Sequence, residues 1–173
     1  ENLFKYNTKV KNISLAFCGN KKITSIPENL FKYNTEVVQL DRTFQFCENI
    51  TSIPAGLFKY NTKLKKTEAV FERCKNLMNI PEDLFKYNTE LENIGFLFKE
   101  CVKVTSIPEN LFINNAKLKR LESTFEYCKS VPVIPEKIIA KGKEVKENGG
   151  NVRKMLLDCT SASNYASIPA YMK

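Results

Sequence analysis

The stretch Ile26-Pro27-Glu28-Asn29-Leu30-Phe31-Lys32-Tyr33-Asn34 decides the fold, because close copies of it recur along the chain. The dipeptide Ile-Pro occurs at a constant interval of 27 residues, starting at Ile26, Ile53, Ile80, Ile107 and Ile134. A fixed period of this size is typical of an array of one copied unit, not of a globule around a central core. The sequence therefore predicts a solenoid of 27-residue coils.

The units divide the chain without gaps over most of its length. We predict a single repeat domain, residues 1–173, with units that begin at Leu3, Leu30, Leu57, Leu84 and Leu111. A degenerate sixth unit, about 138–173, departs from the period and contains the lysine-rich stretch 137–154. Because atypical ends of repeat arrays usually cover the last coil, we expect a cap there; a specialised basic binding loop is the alternative.

Equal positions of stacked coils become neighbours in space, so each apolar column predicts a buried stripe. Two phenylalanine columns are the clearest: Phe4, Phe31, Phe58, Phe85 and Phe112, and Phe17, Phe44, Phe71, Phe98 and Phe125. Burying one such side chain contributes about 1.5–3 kcal/mol. The conformational entropy lost by a whole unit is larger, so a coil needs its neighbours to be stable.

Local signals predict the elements within a unit. Proline after each Ile is suited to the first position of a helix, Glu28 follows at the end that favours negative charge, and Asn34 suits a helix end. Lys32 follows Glu28 by four residues, the helix-stabilising order for an ion pair. The stretches 10–13 and 23–26 predict short strands paired in parallel between coils, with Phe-x-x-Cys as a tight or single helical turn between them. The fold class expected is an α/β repeat.

One charged column alternates in sign through Lys9, Glu36, Lys63, Glu90 and Lys117. Stacked neighbours in this column attract each other, which favours the in-register arrangement of coils. Exposed pairs contribute at most about 1 kcal/mol each, so we expect the column to adjust register without holding the fold together.

The composition restricts the chemistry. The chain has 173 residues, a net charge of +8 and no His, so the commonest general base and zinc ligand are missing. No Gly-rich phosphate loop follows a strand, and no apolar run reaches the length of a membrane span. We therefore expect no cofactor, no metal, no specific nucleic-acid partner and no catalysis, although carboxylates leave an enzyme conceivable. Since Glu1 lies inside a repeat, we expect a piece of a longer protein.

The cysteines follow the repeat. Cys47, Cys74, Cys101 and Cys128 share one position, Cys159 is expected to join them, and Cys18 is out of register. Disulfides between adjacent coils are conceivable, but a cysteine paired in one direction cannot also pair in the other. We favour a column of buried free thiols that act as small hydrophobic side chains.

Three sets of polar or aromatic residues form the predicted ligand surface. They are the tyrosine row Tyr6, Tyr33, Tyr60 and Tyr87; the lysine column Lys32, Lys59 and Lys86, which Lys5 extends; and the hydroxyl row Thr24, Ser25, Thr51, Ser52, Thr105 and Ser106. Stacked lysines repel by roughly 0.8 kcal/mol per neighbouring pair in water, so the column could bind a polyanion or be neutralised by the glutamates four residues earlier. The tyrosines could stack on a ligand or pack against the coil.

The stretch Phe44-x-x-Cys47-x-x-Ile50-Thr51-Ser52, with Leu118-x-x-Leu121 in a later unit, resembles the leucine-rich repeats of BspA-like bacterial surface proteins. It is similar to the related repeat of about 26 residues in bacterial surface proteins and lipoproteins. The resemblance implies a leucine-rich-repeat-like solenoid, with a parallel sheet of short strands on the binding side and short helices on the opposite face. It also implies an exported, extracellular or cell-surface protein of a host-associated bacterium.

Three functions remain at this point. The first is a non-catalytic recognition or adhesion module that binds a host or bacterial surface protein or glycan. The second is a structural spacer in a surface or phage-derived particle, in which the repeats only set a length. The third is an enzyme that uses paired carboxylates, which would require two glutamates in one pocket.

Overall fold

The computed structural model describes residues 3–173 as a stack of coils. Parallel bridges join positions one coil apart in a single line: Asn12–Gln39, Gln39–Lys66, Lys66–Asn93, Asn93–Arg120 and Arg120–Asn151. A further parallel bridge joins Ser52 to Asn79 at the second predicted strand position. The predicted parallel pairing is therefore present, but within residues 3–173 the strands are reduced to isolated bridges.

After each bridge the chain runs through consecutive turns that bond to the next coil. In the second coil, four amides at alternate positions donate to carbonyls of the third, namely Leu40 to Lys66, Arg42 to Glu68, Phe44 to Val70 and Phe46 to Glu72. Arg42 and Phe46 have left-handed backbone, with φ of 58° and 61°, and their equivalents in later coils do too. The segment that contains Phe-x-x-Cys is thus a run of consecutive turns, not the single turn predicted from the sequence. We call residues 40–46 and their copies in the other coils the turn ladder.

Turns replace the short helices predicted after Pro27, Pro54, Pro81 and Pro108. A helix, Glu136–Glu147, follows only the fifth Ile-Pro within the described chain. In the second coil the amides of Leu30, Lys32 and Asn34 each donate to the carbonyl three residues earlier. The carbonyls of Phe31 and Asn34 also accept bonds from Asn61 in the next coil. In an α-helix these carbonyls would point along the helix axis and could not accept bonds from the next coil. The hydrogen bonds between coils therefore favour turns over the helix that the local sequence predicts.

The predicted helix-ending asparagines have a different role. The side chain of Asn61 is fully buried, and its Nδ2 donates to the carbonyls of Phe31 and Asn34 at 3.1 and 2.8 Å. The same pair of bonds recurs one and two coils later, at Asn88 and Asn115, and one coil earlier, at Asn34. We call this set the asparagine ladder: Asn34, Asn61, Asn88 and Asn115. It satisfies buried carbonyls that lie between coils.

The predicted apolar columns are confirmed. Rings of the column that starts at Phe17 stack at centroid distances of 5.2, 5.8, 5.7 and 5.8 Å, with interplanar angles between 2° and 13°. Rings of the column that starts at Phe4 stack at 5.7–6.2 Å. Both columns belong to one core that runs through the described coils. The ring centroids therefore repeat at 5.2–6.2 Å along the two columns.

The sixth unit departs from the repeat. It contains helix α1, Glu136–Glu147, and the 3₁₀ helices Tyr165–Ser167 and Ala170–Met172. Helix α1 packs closely, because a Cβ on Gly142 would lie 2.7 Å from the Met172 side chain. The turn ladder continues into this unit, and its role as a cap stays a prediction. No helix of residues 3–173 is both long and apolar enough to span a bilayer.

Two adjacent asparagines, Asn114 and Asn115, allow the contribution of the asparagine ladder to stability to be tested. Asn115→Ala removes two buried hydrogen bonds, whereas Asn114→Ala changes an exposed side chain with one bond of 3.3 Å. At about 1 kcal/mol per bond, we expect the free energy of unfolding to fall by about 2 kcal/mol for Asn115→Ala and by less than about 0.5 kcal/mol for Asn114→Ala. Urea unfolding followed by circular dichroism measures both. Equal losses would contradict the assigned role of the buried amide.

Candidate ligand-binding surface

The tyrosine row and the lysine column interleave along the stack. Lys32 Nζ lies 5.8 Å from the ring centroid of Tyr33 and 5.9 Å from that of Tyr60 in the next coil. Lys59 Nζ lies 5.7 Å from the Tyr60 centroid and 6.0 Å from that of Tyr87. Lys86 Nζ, the last of the series, lies 5.6 Å from the Tyr87 centroid. These six side chains, Tyr33, Lys32, Tyr60, Lys59, Tyr87 and Lys86, are called the Lys–Tyr ladder below.

The ladder is accessible along its length. Its tyrosines are 40, 40 and 39% exposed, and its lysines are exposed. Tyr6 in the first coil is 88% exposed and has Lys5 over its ring at 5.6 Å. Each ladder tyrosine thus has one or two ammonium groups within about 6 Å of its ring centroid and keeps part of its surface in solvent.

Several lysines outside the ladder pair with glutamates of adjacent coils. In the alternating column, Lys63 bonds Glu36 at 2.7 Å and Lys117 bonds Glu90 at 2.6 Å, as predicted. The bond from Lys63 lowers the pKa of Glu36 below its ordinary value. Elsewhere Glu48 lies between Lys21 and Lys75, at 3.7 and 3.0 Å. Inter-coil pairing is therefore how this chain handles much of its basic surface.

The ladder lysines lack such partners. Among residues 3–173, no ion pair includes Lys32, Lys59 or Lys86. The pairs expected from Glu28 to Lys32 and from Glu82 to Lys86 do not form, because the four-residue spacing brings side chains together only on a helix, and this segment is a run of turns. Three ammonium groups of like charge therefore follow one another along the stack.

Cation–π contacts account for the stability of this arrangement. Neighbouring ammoniums near one coil spacing repel by roughly 0.8 kcal/mol in water. An ammonium over an exposed aromatic ring gains about 0.5–1 kcal/mol. Lys32 and Lys59 each contact two rings, so the gain offsets the repulsion. The protein can thus keep three cations in line without neutralising them.

The ladder ends where the repeat pattern changes. The fifth coil has Ile113 and Asn114 in place of Lys and Tyr, and Asn114 donates to the carbonyl of Lys86. A shallow cavity of about 260 Å³ lies at this end, lined in part by Glu82, Lys86 and Ile113. The sequence shows Asn114 at the next tyrosine position, but the cavity was not predicted. The exposed Ile113 in the lysine column was the available signal.

The hydroxyl row forms a separate surface. Thr24, Ser25, Thr51, Ser52, Thr105 and Ser106 are all exposed. Their row is interrupted in the third coil by Met78, which is 46% exposed and occupies the threonine position. Across residues 3–173, no hydrogen bond connects a side chain of this row with the ladder. The structure therefore divides the predicted ligand surface into two parts, of which the ladder is continuous over three coils.

Carboxylates also gather in a groove on the turn-ladder side. Glu68 and Glu72 line it together with Arg42 and Lys99. Each glutamate already has a partner in an adjacent coil, since Glu68 Oε2 accepts from Asn93 and Glu72 Oε2 accepts from Gln45. These contacts connect coils in the same way as the ion pairs do.

The cysteine column is a stack of free thiols. Cys47, Cys74, Cys101, Cys128 and Cys159 are buried, and each Sγ donates to a phenylalanine carbonyl of the preceding coil at 3.0–3.3 Å. Burial raises the pKa of Cys159 to about 12 and raises the pKa of Cys74, Cys101 and Cys128 as well. Cys18 is exposed. Within residues 3–173, no group of three or more acidic or Cys side chains is placed to hold a metal ion.

Comparison with known proteins gives leucine-rich repeat structures. No family model and no curated protein matches the chain. A leucine-rich repeat protein from Eubacterium ventriosum is 19% identical, with a TM-score of 0.38, over 65% of this chain and 26% of that chain. A leucine rich cell surface protein from Faecalibacterium prausnitzii is 17% identical, with a TM-score of 0.35, over 72% and 42%. TLR13 in complex with ssRNA13 is 15% identical, with a TM-score of 0.49, over 78% and 20%.

These similar structures are leucine-rich repeat proteins and include a bacterial cell surface protein. The chain spans less than half the length of each. At such identities and TM-scores the likeness carries no argument about this chain. Its assignment as a stacked repeat rests on its own bridges, turn ladder and phenylalanine columns, and the BspA-like resemblance stays a prediction.

The thiol column yields a test of burial. The chain has six cysteines, and an ordinary thiol has a pKa of about 8.5. Because burial raises the pKa of the column thiols, their thiolate fraction at pH 8 is small and access to them is blocked. We expect iodoacetamide at pH 8 to label one thiol of the native protein, Cys18, and all of them after denaturation. Cys18→Ser should leave no rapid labelling, and fast labelling of further thiols in the native protein would contradict the buried column.

Proposed function

We propose that this chain is a non-catalytic recognition or adhesion module that binds a protein or glycan at a bacterial cell surface. The observation that carries the proposal is the Lys–Tyr ladder. Three aromatic and three cationic side chains are presented in line, exposed and without ion-pair partners among the described residues. Tyr is among the residue types that contribute most to binding energy at protein surfaces.

The scaffold beneath the ladder supports this function. In each unit the Lys–Tyr pair lies between a stacked phenylalanine and a buried asparagine, as Lys59 and Tyr60 lie between Phe58 and Asn61. Phe58 and Asn61 are fully buried and bonded or stacked to neighbouring coils. A ligand would therefore meet side chains on a rigid backbone, so that little backbone entropy is lost on binding.

The surface location and the non-catalytic role each have a separate observation behind them. The location follows from the resemblance of the Phe-x-x-Cys repeat to BspA-like proteins. The non-catalytic role is supported by the carboxylates of the turn-ladder groove, which are already bonded to side chains of adjacent coils. A spacer in a larger particle is the alternative, and it would require the repeats to polymerise or to bind one fixed partner.

A binding panel tests the proposal. The labelled protein is incubated with extracellular proteins and with neutral and anionic glycans, and we expect saturable binding to at least one class. Tyr60→Ala should weaken that binding by about fivefold or more, because truncation of a central aromatic side chain at a binding surface typically costs more than 1 kcal/mol. Sedimentation velocity on the same samples measures assembly.

The matched control is Tyr171→Ala. Tyr171 is 43% exposed, close to the 40% of Tyr60, and lies in a 3₁₀ helix of the sixth unit. We expect its substitution to leave binding unchanged. If no member of the panel binds saturably at high micromolar concentration, the recognition function is wrong, and concentration-dependent polymers in the same experiment would favour the spacer.

A further inference from the structure

The Lys–Tyr ladder has a charge arrangement that differs from the rest of the surface. Basic columns elsewhere alternate with glutamates or share one between two coils, as at Lys63–Glu36 and around Glu48. The ladder instead repeats a lysine at the same position in consecutive coils, at Lys32, Lys59 and Lys86. Within residues 3–173 these lysines form no ion pair, so their charge is available to an external anion.

The carboxylates closest to the ladder in sequence form no ion pair with its lysines among residues 3–173. Glu82 accepts from Asn110 at 2.9 Å, and Asp83 accepts from the amide of Gly56 at 3.3 Å. The glutamate four residues before Lys59 is replaced by Ala55, at the end of the second unit. The middle lysine of the ladder therefore has no glutamate at the position where Lys32 and Lys86 have one.

The tyrosines position the ammonium groups. Lys32 and Lys59 each lie over two rings in adjacent coils, so their ammoniums are held in single file along the stacking axis. The phenylalanines that precede these lysines stack at 6.1 and 5.7 Å, which sets the repeat of the ladder at about one coil. Cations at a fixed repeat along one line match a ligand whose anionic groups also recur along one line.

We propose that the Lys–Tyr ladder binds a linear anionic polysaccharide, one that carries carboxylate or sulfate groups and lies along the stack. This inference rests on the proposed recognition function and names its ligand class. Each lysine donates to an anionic group of the polysaccharide while its stem stays against the tyrosine rings. The tyrosines are positioning residues for the ammonium groups.

The geometry favours a polysaccharide over other polyanions. Single-stranded nucleic acid gains much of its affinity by stacking bases on open aromatic faces, and here the ring faces are covered by ammonium groups. An anionic membrane would attract a broad basic field, whereas this ladder is one ammonium wide in each coil. An extended polysaccharide needs only the single line of cations that the ladder presents.

Binding of heparin to lysine variants tests the inference. The ladder variant is Lys32→Gln/Lys59→Gln/Lys86→Gln, and the control is Lys143→Gln/Lys146→Gln/Lys154→Gln, whose lysines are exposed in the sixth unit. Each variant removes three positive charges from the net charge of +8. We expect the ladder variant to bind heparin about 10- to 100-fold more weakly and to lower the slope of log Kd against log salt by about two, because fewer counterions are released.

The control variant should stay within about threefold of the unmodified protein. Circular dichroism and urea unfolding of both variants establish that they are folded. Equal loss of heparin binding in the two variants would show an undirected charge effect and overturn the inference. A loss confined to the control variant would place the basic site in the sixth unit and overturn it as well.

Tyr60→Leu separates positioning from charge. It removes the ring between Lys32 and Lys59 but keeps all three cations. We expect heparin affinity to fall by about three- to tenfold while the salt slope stays unchanged, because the number of released counterions is the same. A changed slope or unchanged affinity would overturn the positioning role of the tyrosines.

Further probes distinguish the ligand classes. Neutral dextran should not bind, and single-stranded DNA or vesicles rich in anionic lipid should bind without dependence on the ladder lysines. If DNA or vesicles bind as tightly as heparin and lose binding in the ladder variant, the polysaccharide assignment is wrong. Ladder-independent binding of a protein or neutral glycan would overturn this inference but leave the proposed recognition function standing, and no binding to any probe would remove both.

Discussion

Hydrogen bonding along the stacking axis is the constraint on which this structure depends. The turn ladder directs alternate amides, such as those of Leu40 and Phe44, into the following coil, and the asparagine ladder satisfies carbonyls of the preceding one. Buried backbone groups without partners are costly, so a coil cannot be stable without neighbours in register. The phenylalanine columns contribute apolar burial to the same contacts, but the polar groups are what require one particular register.

The same register decides what the surface looks like. A position that repeats every 27 residues lies beside its own copies, so a repeated lysine places like charges together. Where the chain alternates Lys and Glu, as at Lys63 and Glu36, the result is an ion pair between coils. Where it repeats Lys32 and Lys59, the result is a line of cations that tyrosine rings hold in place. The same 27-residue repeat therefore produces ion pairs between coils at one position and a line of unpaired positive charges at another.

The period predicted the stacking, the buried phenylalanine columns and the alternating ion pairs. It did not predict the turns, because Pro and Glu at the start of a helix and Asn at its end are also compatible with consecutive turns. Left-handed backbone at Arg42 and Phe46 has no sequence signal, since neither residue is Gly or Asn. The asparagine role was misread because a buried amide that bonds to another coil depends on contacts 27 and 30 residues away. The cation–π contacts between Lys32 and Tyr60 are equally non-local.

The length of the ladder follows from the departures of the fifth unit. Because Ile113 and Asn114 replace Lys and Tyr, the line of cations ends at Lys86. On the N-terminal side of the ladder, the first coil contributes the pair Lys5 and Tyr6. Each coil adds one weak contact to a ligand whose anionic groups recur along the stack. After the first contact has formed, each further contact of the same ligand forms intramolecularly, so the contacts reinforce one another. Affinity for such a ligand therefore depends on how many coils keep the Lys–Tyr pair. Substituting one position in one unit changes this number without disturbing the hydrogen bonds that hold the coils in register.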